Sequence, residues 1–515
     1  MNRPSRARRA LALLLALSLA AGPMGGTTAG AQNLPDLGDE SAGTLSPQME
    51  RRIGESYYRD LRRDVAYLDD AEIKAYCEEL GRRLIAAGPD PGMEVEFFVM
   101  KDPTINAFAM LGGYIGVNSG LLMAAQSESE AASVMGHELG HLTQRHIARS
   151  VSAGQRNSRV SMIAMALALL AARSNGQAAA GAMMGAQAFQ VQSQLAYSRD
   201  FEREADRVGF DTLHKAGFDV SAMPAFFERL QRAGRAYDSS APVYVRSHPL
   251  TTERIADVQN RVQSVRYRQH VDGLAFHLVR AKLRATADAG LDGVRDTLKF
   301  FNTQLAERAY SSEAAARYGL AQTHLVGRDV KAAAQAFALI PASAAHPMID
   351  ALGARIKAAA GDAAGAVSAY KAALAKYPRT RYLELALVDV LQSAGRHAEA
   401  LDLLAEQARA FRSDPRVFEL QARSFAATGK TASQHQALGE YYALTSSPQA
   451  ALEQFQIARC SGGTDFYQSS IIDTRIRAMW ERMIAERADR GESDKGPPGG
   501  RGRGPGQDQA PLRCP

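Results

Sequence analysis

The sequence predicts an α+β domain, mostly helical with a small antiparallel sheet, followed by an all-α repeat solenoid. Three observations carry this prediction. Apolar residues alternate over a short stretch between Met93 and Val99, helical periodicity flanks that stretch, and glycines recur at a constant interval of 34 residues in the C-terminal half. At 515 residues the chain exceeds what one compact core can enclose.

The N-terminus is read first as a targeting segment. Arg3, Arg6, Arg8 and Arg9 form a basic start, Leu11 to Ala21 is a short apolar run, and Ala29-Gly30-Ala31 offers a small-residue cleavage site. This is the anatomy of a secretory signal peptide over 1–31, cleaved after Ala31, and the run is too short for a spanning helix. Removing it takes away four arginines and no acids, so the formal charge falls from +6 to +2. The basic, aromatic-studded stripe of a nucleic-acid binder is not visible. Cys77, Cys460 and Cys514 are too few and too far apart for a disulfide scaffold, and no pair has zinc-ligand spacing. Any metal must be held by histidines and carboxylates.

After a linker at 32–46, helices are expected at 47–66 and 70–87, the second opening at Asp69-Asp70 and closing at Gly88-Pro89. Met93 to Val99, Ile105 to Met110 and Tyr114 to Asn118 read as strands, with Gly112-Gly113 as a tight reversal. Glu128 to Arg149 is helical in composition. Ser161 to Ala172 is almost wholly apolar, and 176–189 is rich in Gly and Ala. Arg159 and Arg173 bracket too few residues for a span, so a buried helical hairpin is expected, compatible with a lid.

Gly327, Gly361, Gly395 and Gly429 are each 34 residues apart, and Ala332, Ala366 and Ala400 follow the first three by five. The period resembles the tetratricopeptide repeat, in which small residues let paired helices approach. The expected organisation is a catalytic domain at 47–268, repeats at 269–488, and a Gly/Pro/Arg-rich tail at 489–515.

The chemistry lies in His137-Glu138-Leu139-Gly140-His141. Histidines four apart project from one helical face, and the adjacent carboxylate can hold a water without itself binding the metal strongly. This is the zincin arrangement of two ligands and a general base. His146, nine residues after His137, should lie about 180° around a continuous helix and face away. Gln144 and Ile147 exclude the metzincin pattern. The third ligand must then come from another segment, and the best is Ser198 to Asp206. There Glu202 and Asp206 share a face, with Glu204 nearly opposite. One of the pair can bind zinc while the other orients a ligand imidazole.

These residues resemble the HtpX-like and CAAX-prenyl-protease-type zinc peptidases, whose HExxH is followed by S-R-x-x-E-x-x-A-D, here Ser198 to Asp206. The resemblance covers roughly residues 48–262. It implies one Zn2+ per chain held by His137, His141 and Glu202, with Glu138 as base and Asp206 behind the ligands. Asn106 to Ala109, Gly112-Gly113 and Gly120 to Leu122 also match, and in the family they form the edge strand beside the cleft. Substrate is therefore expected against Asn106, Gly113, Tyr114, Ile115 and Gly116 by backbone pairing. His248-Pro249 matches a downstream element, followed by Arg254. His248 is open to capping the zinc or assisting the transition state, and Arg254 to binding the oxyanion or pairing with a carboxylate.

The signal peptide, the absence of spanning helices and the repeats resemble the periplasmic branch of the family. That likeness implies a protease and assembly helper acting on outer-membrane β-barrel proteins. Its partners would be polypeptide substrates and the barrel-assembly machinery, with no nucleic acid and no stable membrane span. A repeat-based chaperone or adaptor with little proteolysis is the alternative.

Overall fold

The computed structural model describes residues 45–152, 198–236, 243–445 and 448–489. The signal peptide at 1–31, nearly all of the linker, the apolar and Gly/Ala-rich stretches at 161–189, and the tail beyond 489 lie outside the described residues. Among the described residues, no helix is long and apolar enough to cross a membrane.

Helix α1 (Pro47–Leu61) starts at Ser46, whose hydroxyl accepts from the Met49 N–H, with Pro47 supplying a pre-set φ in the first turn. It ends earlier than the expected 66. The following residues become extended beside the sheet, Leu68 N–H donating to Val99 and Lys101 N–H to Ala66. Helix α2 (Ala71–Ala87) is capped by Asp70, which accepts from Glu72 and Ile73. Cys77, on its buried face, carries a free thiol.

The sheet corrects one expectation. Strands β1 (Glu96–Met100), β2 (Ala107–Met110) and β3 (Tyr114–Asn118) are ordered β1-β3-β2. β2 and β3 form the expected antiparallel hairpin, but β1 pairs with β3 in parallel. The sheet is mixed because residues 101–106 carry the chain past the β3 position before it reverses. Gly112 and Gly113 make that reversal at φ +80° and +92°. A Cβ on Gly113 would also meet the Glu94 carbonyl at 2.5 Å, so glycine lets β1 dock there. Phe97, Val99, Ile115 and Val117 enter the main core with α2, while Phe98 and Met100 pack with Tyr58 of α1 on the other face.

Helix α3 (Ser119–Ala124) leads to α4 (Glu128–Thr143), and a short helix α5 follows from 146 to at least 152. Helix α6 covers 198–215, then α7 (Ala222–Ala236), α8 (Val243–Ser247) and α9 (Thr252–Ser264) close the N-terminal half.

Beyond the two helices Leu274–Thr286 and Leu291–Ala306, the chain repeats a helix pair four times. The first helices of these pairs are Glu313–Val326, Pro347–Ala359, Arg381–Ser393 and Pro415–Ala427. Each ends in one hydrogen-bonded form, in which the N–H of Asp329, Asp362, Arg396 or Lys430 bonds back to His324, Lys357, Leu391 or Phe425. That closure needs a left-handed residue, supplied by Gly361, Gly395 and Gly429. In the first unit the helix runs one residue longer. Gly327 stays at φ −72°, Arg328 takes the left-handed place, and Ala333 rather than Ala332 is fully buried where Ala366 and Ala400 are.

The repeats are fused to the N-terminal half. One hydrophobic cluster runs from Ile73 through Phe276 to Ile356. At its polar margin, buried Glu72 of α2 accepts from Lys282 (2.8 Å), Tyr318 (3.3 Å) and Arg355. Burial opposes the charge of Glu72, but Arg355 and Lys282 outweigh it and bring the carboxyl down to about 2. Its contribution to stability is therefore complete above the ordinary value of 4.5 and is lost as pH falls toward about 2. Glu72→Gln should cost about 3 kcal/mol at pH 7 and remove this acid dependence, because two cations stay buried beside a neutral amide. Denaturant titrations of both proteins between pH 7 and pH 3 check this, and parallel stability curves would contradict it.

Candidate metal centre

Helix α4 begins at Ser127, whose hydroxyl accepts from Glu130 N–H (3.2 Å), and Glu128 and Glu130 place charge at its positive end. Every residue from Glu128 to Gly140 is buried. His137 and His141, one turn apart, bring their Nε2 atoms within 3.0 Å of each other. Glu138 lies between them in sequence and is 1 % exposed.

Helix α6 meets α4 backbone to backbone. A Cβ on Gly140 would lie 2.9 Å from the Ala205 carbonyl, and one on Gly209 would lie 2.9 Å from the His137 nitrogen. Small residues at 136, 140, 205 and 209 thus allow a crossing that larger ones would block. The approach carries Glu202 and Asp206 onto the histidines. Glu202 lies 3.4 Å from His137 Nε2 through Oε2 and 3.3 Å from His141 Nε2 through Oε1. Asp206 Oδ1 sits behind, 2.9 Å from His137 Nδ1.

His248, after α8, completes the group. Its Nδ1 is 3.0 Å from Glu202 Oε1 and 3.4 Å from His137 Nε2, and its Nε2 is 3.5 Å from Glu138 Oε1. Tyr244, one turn earlier, stacks on its ring at 4.8 Å and anchors α8 through a bond from its N–H to the Ile105 carbonyl (3.2 Å). The donor atoms of His137, His141, Glu202 and His248 all lie within 4.8 Å of one another. Ligands bound tetrahedrally at about 2.05 Å are separated by about 3.3 Å, and the His137, His141 and Glu202 donors lie 3.0–3.4 Å apart, close enough to share one ion. The donor set of imidazoles and one carboxylate fits a borderline-soft divalent cation.

The charges point the same way. Glu138, Glu202 and Asp206 are all buried, with Arg254 as the guanidinium among them. Burial disfavours ionised Glu202, yet bonds from His137, His141 and His248 hold it well below the usual carboxylate range. Burial likewise opposes a charge on His137, but contacts with Asp206 and Glu202 override it and push the imidazole up to about 10. The neighbouring carboxylates thus favour positive charge at the His137 ring, which a metal can supply in place of a proton. Burial and neighbouring His137 instead lower His141, so its ring stays neutral as a ligand must.

One open role narrows and one expectation changes. Arg254 is 4 % exposed and most of its donors are engaged. Nε and Nη2 bond Asp206 at 2.7 and 2.8 Å, and Nη1 reaches Pro249 O at 2.9 Å and Glu202 at 2.7 Å. It pairs with carboxylates, one of the two roles open to it, and spends four of its five N–H donors on these contacts. Tyr114, Ile115 and Gly116 sit on the central strand, paired on both sides, so they cannot accept an added strand, and Gly113 serves the turn. Among the described residues the outer edge on this side belongs to β2, where Ala107 is fully buried and Ala109 half-buried. Asn106 O accepts from Asn118 N–H (3.0 Å), so Ala107 and Ala109 turn their backbone groups outward. Ala109 N–H donates to Glu138 Oε2 at 3.1 Å, while Glu138 Oε1 is buried without a hydrogen-bond partner among the described residues.

Other residues were hidden from the sequence. The α4 helix stops at Gln144, and Arg145 turns left-handed at φ +51°, held by Glu50 of α1. His146 therefore swings back to His141, with Nδ1 atoms 2.9 Å apart, instead of facing away. Burial and His141 lower its imidazole to about 4. Tyr244 carried no motif signal, though its i,i+4 spacing to His248 on a helix was readable.

The profile described as peptidase family M48 matches residues 68–262, and a tetratricopeptide repeat profile matches 357–424. The beta-barrel assembly-enhancing protease of Escherichia coli (strain K12) is 30% identical over 462 residues, 89% of this chain and 93% of that protein. A putative beta-barrel assembly-enhancing protease of Vibrio cholerae is 42% identical over 264 residues, 50% of this chain and 54% of that protein. The mitochondrial metalloendopeptidase OMA1 of Arabidopsis thaliana is 27% identical over 203 residues, 39% of each chain. The chain belongs to peptidase family M48 and is a metalloprotease with a tetratricopeptide-repeat region.

The α4–α6 crossing yields a prediction. Gly209→Ala should force the helices apart at His137, lowering stability by about 1–3 kcal/mol and withdrawing Glu202 from the histidines. Thermal unfolding together with metal content after dialysis reads both effects, and wild-type metal retention would contradict the account.

Proposed function

We propose that this M48-family chain is a periplasmic zinc-dependent endopeptidase that degrades unfolded or misassembled polypeptides in the quality control and assembly of outer-membrane β-barrel proteins. The observation that carries the catalytic part is the buried group of His137, His141 and Glu202 with the unpartnered Glu138 Oε1 beside it. The names of the relatives that match most of the chain support the cellular part. The proposed division is a signal peptide at 1–31, a catalytic domain at 47–268 and a repeat arm at 269–488 that binds substrates or the barrel-assembly machinery.

In this reading His137, His141 and Glu202 hold one Zn2+. When bound, the ion supplies a Lewis acid that makes water nucleophilic at neutral pH and polarises the scissile carbonyl. Glu138 takes the proton of the attacking water and returns it to the leaving amine, held on line by the Ala109 N–H. Asp206 orients His137, and Arg254 holds Asp206 and Glu202 as ionised carboxylates. Extended substrate pairs with the β2 edge through the Ala109 carbonyl, which favours unfolded chains.

His248 fills the fourth corner of the group, and we read it as a cap on the resting site. A permanently filled corner would instead mark a structural metal site, the reading this four-residue group also favours. Casein cleavage by the purified mature protein separates the two. Glu138→Gln should retain stoichiometric zinc while losing at least about 100-fold in rate. His248→Ala should cleave faster than wild type. Zinc-free wild-type protein, or unchanged cleavage by Glu138→Gln, defeats the mechanism. Slower cleavage by His248→Ala removes the cap and assigns His248 to the transition state. In cells, Glu138→Gln should abolish the assembly phenotype, whereas full complementation would favour an adaptor.

A further inference from the structure

We propose that His146 is a positioning residue of the metal centre, fixing the tautomer of His141 and joining the two helices that carry the ligands. This rests on the metal-binding reading above. His141 turns Nε2 toward His137 and Glu202, which leaves Nδ1 on the far side of its ring, 2.9 Å from His146 Nδ1. Two ring nitrogens can bond only if one of them carries the proton. The other nitrogen of His146, Nε2, lies 3.1 Å from Glu204 Oε2. Ionised Glu204 only accepts, so the His146 proton sits on Nε2 and its Nδ1 is the acceptor. The proton between the rings therefore belongs to His141 Nδ1. His141 is left with a bare Nε2 lone pair on the side of Glu202 and His137.

The surroundings hold His146 to this task. It is 3 % exposed, and its ring stacks on Phe201 at 4.3 Å and 16°. Arg149 lies over the same phenyl ring and donates to Glu204 at 2.8 Å. Phe201 and Glu204 flank Glu202 on α6. His146 thus grips the helix of the carboxylate ligand while bonding the second histidine of α4. The left-handed Arg145 delivers it there, and the Arg145 contact with Glu50 fixes the turn. Both histidine ligands then receive their outer partner from α6, His137 directly from Asp206 and His141 from Glu204 through His146.

Zinc affinity of the full mature chain, measured by competition with a chromophoric chelator, tests this. His146→Phe keeps the stacking on Phe201 and loses the acceptor, and it should bind zinc about 10–100-fold more weakly. His146→Asn, which can present Oδ1 to His141, should recover most of that loss. Glu204→Ala should weaken binding in the same direction, and serves where the Phe variant does not fold. Circular dichroism and thermal unfolding of the metal-free proteins register folding separately. Wild-type affinity in His146→Phe or Glu204→Ala overturns the inference, as does an Asn variant no better than Phe. A wild type that binds no zinc overturns the metal-site reading itself, so the two failures are distinct.

Discussion

Two helices crossing at backbone contact set everything else at the site. Gly136 and Gly140 on α4 face Ala205 and Gly209 on α6, and no Cβ fits between Gly209 and the His137 backbone. Only that proximity lets a short carboxylate on α6 reach imidazoles on α4. The same glycines that would weaken an exposed helix are tolerated because both helices are buried and anchored by neighbours. The fold pays for the crossing with chain entropy and gains a fixed ligand geometry.

A second constraint follows from the first. Packing carboxylates and histidines this tightly removes them from water, which is costly unless charge is matched. Arg254 answers for Asp206 and Glu202, and Arg149 for Glu204. What remains is a group of donors around His137 Nε2 that favours positive charge. In the proposed mechanism a divalent ion satisfies it, and Glu138 keeps one oxygen without a hydrogen-bond partner among the described residues.

The sequence made much of this legible, for reasons that are local. Histidines at i,i+4 and carboxylates at i,i+4 declare their faces through helical geometry alone. The repeats declared themselves because left-handed closure of each helix calls for glycine at a fixed interval, and the first unit's one-residue shift still preserved the pattern. Illegible features depended on breaks and neighbours. His146 faces away only along a continuous helix, and the turn at Arg145 depends on contact with Glu50, 95 residues upstream. The parallel pairing of β1 depended on which side residues 101–106 would cross, which no residue pattern encodes. The two roles open to Arg254 could not be separated in the sequence because its carboxylate partners lie about fifty residues away.

Joining the repeats to the catalytic half through Glu72 and a shared apolar core makes the arm a continuation of the enzyme rather than a tethered module. The ligand and acid groups themselves stay buried around α4 and α6. The central claim concerns those groups, and anomalous diffraction at the zinc edge from crystals of the mature protein tests it most directly. The account predicts a single peak at about 2.0–2.2 Å from His137 Nε2, His141 Nε2 and a Glu202 oxygen. A peak held by other residues, or none in zinc-loaded crystals, would contradict it.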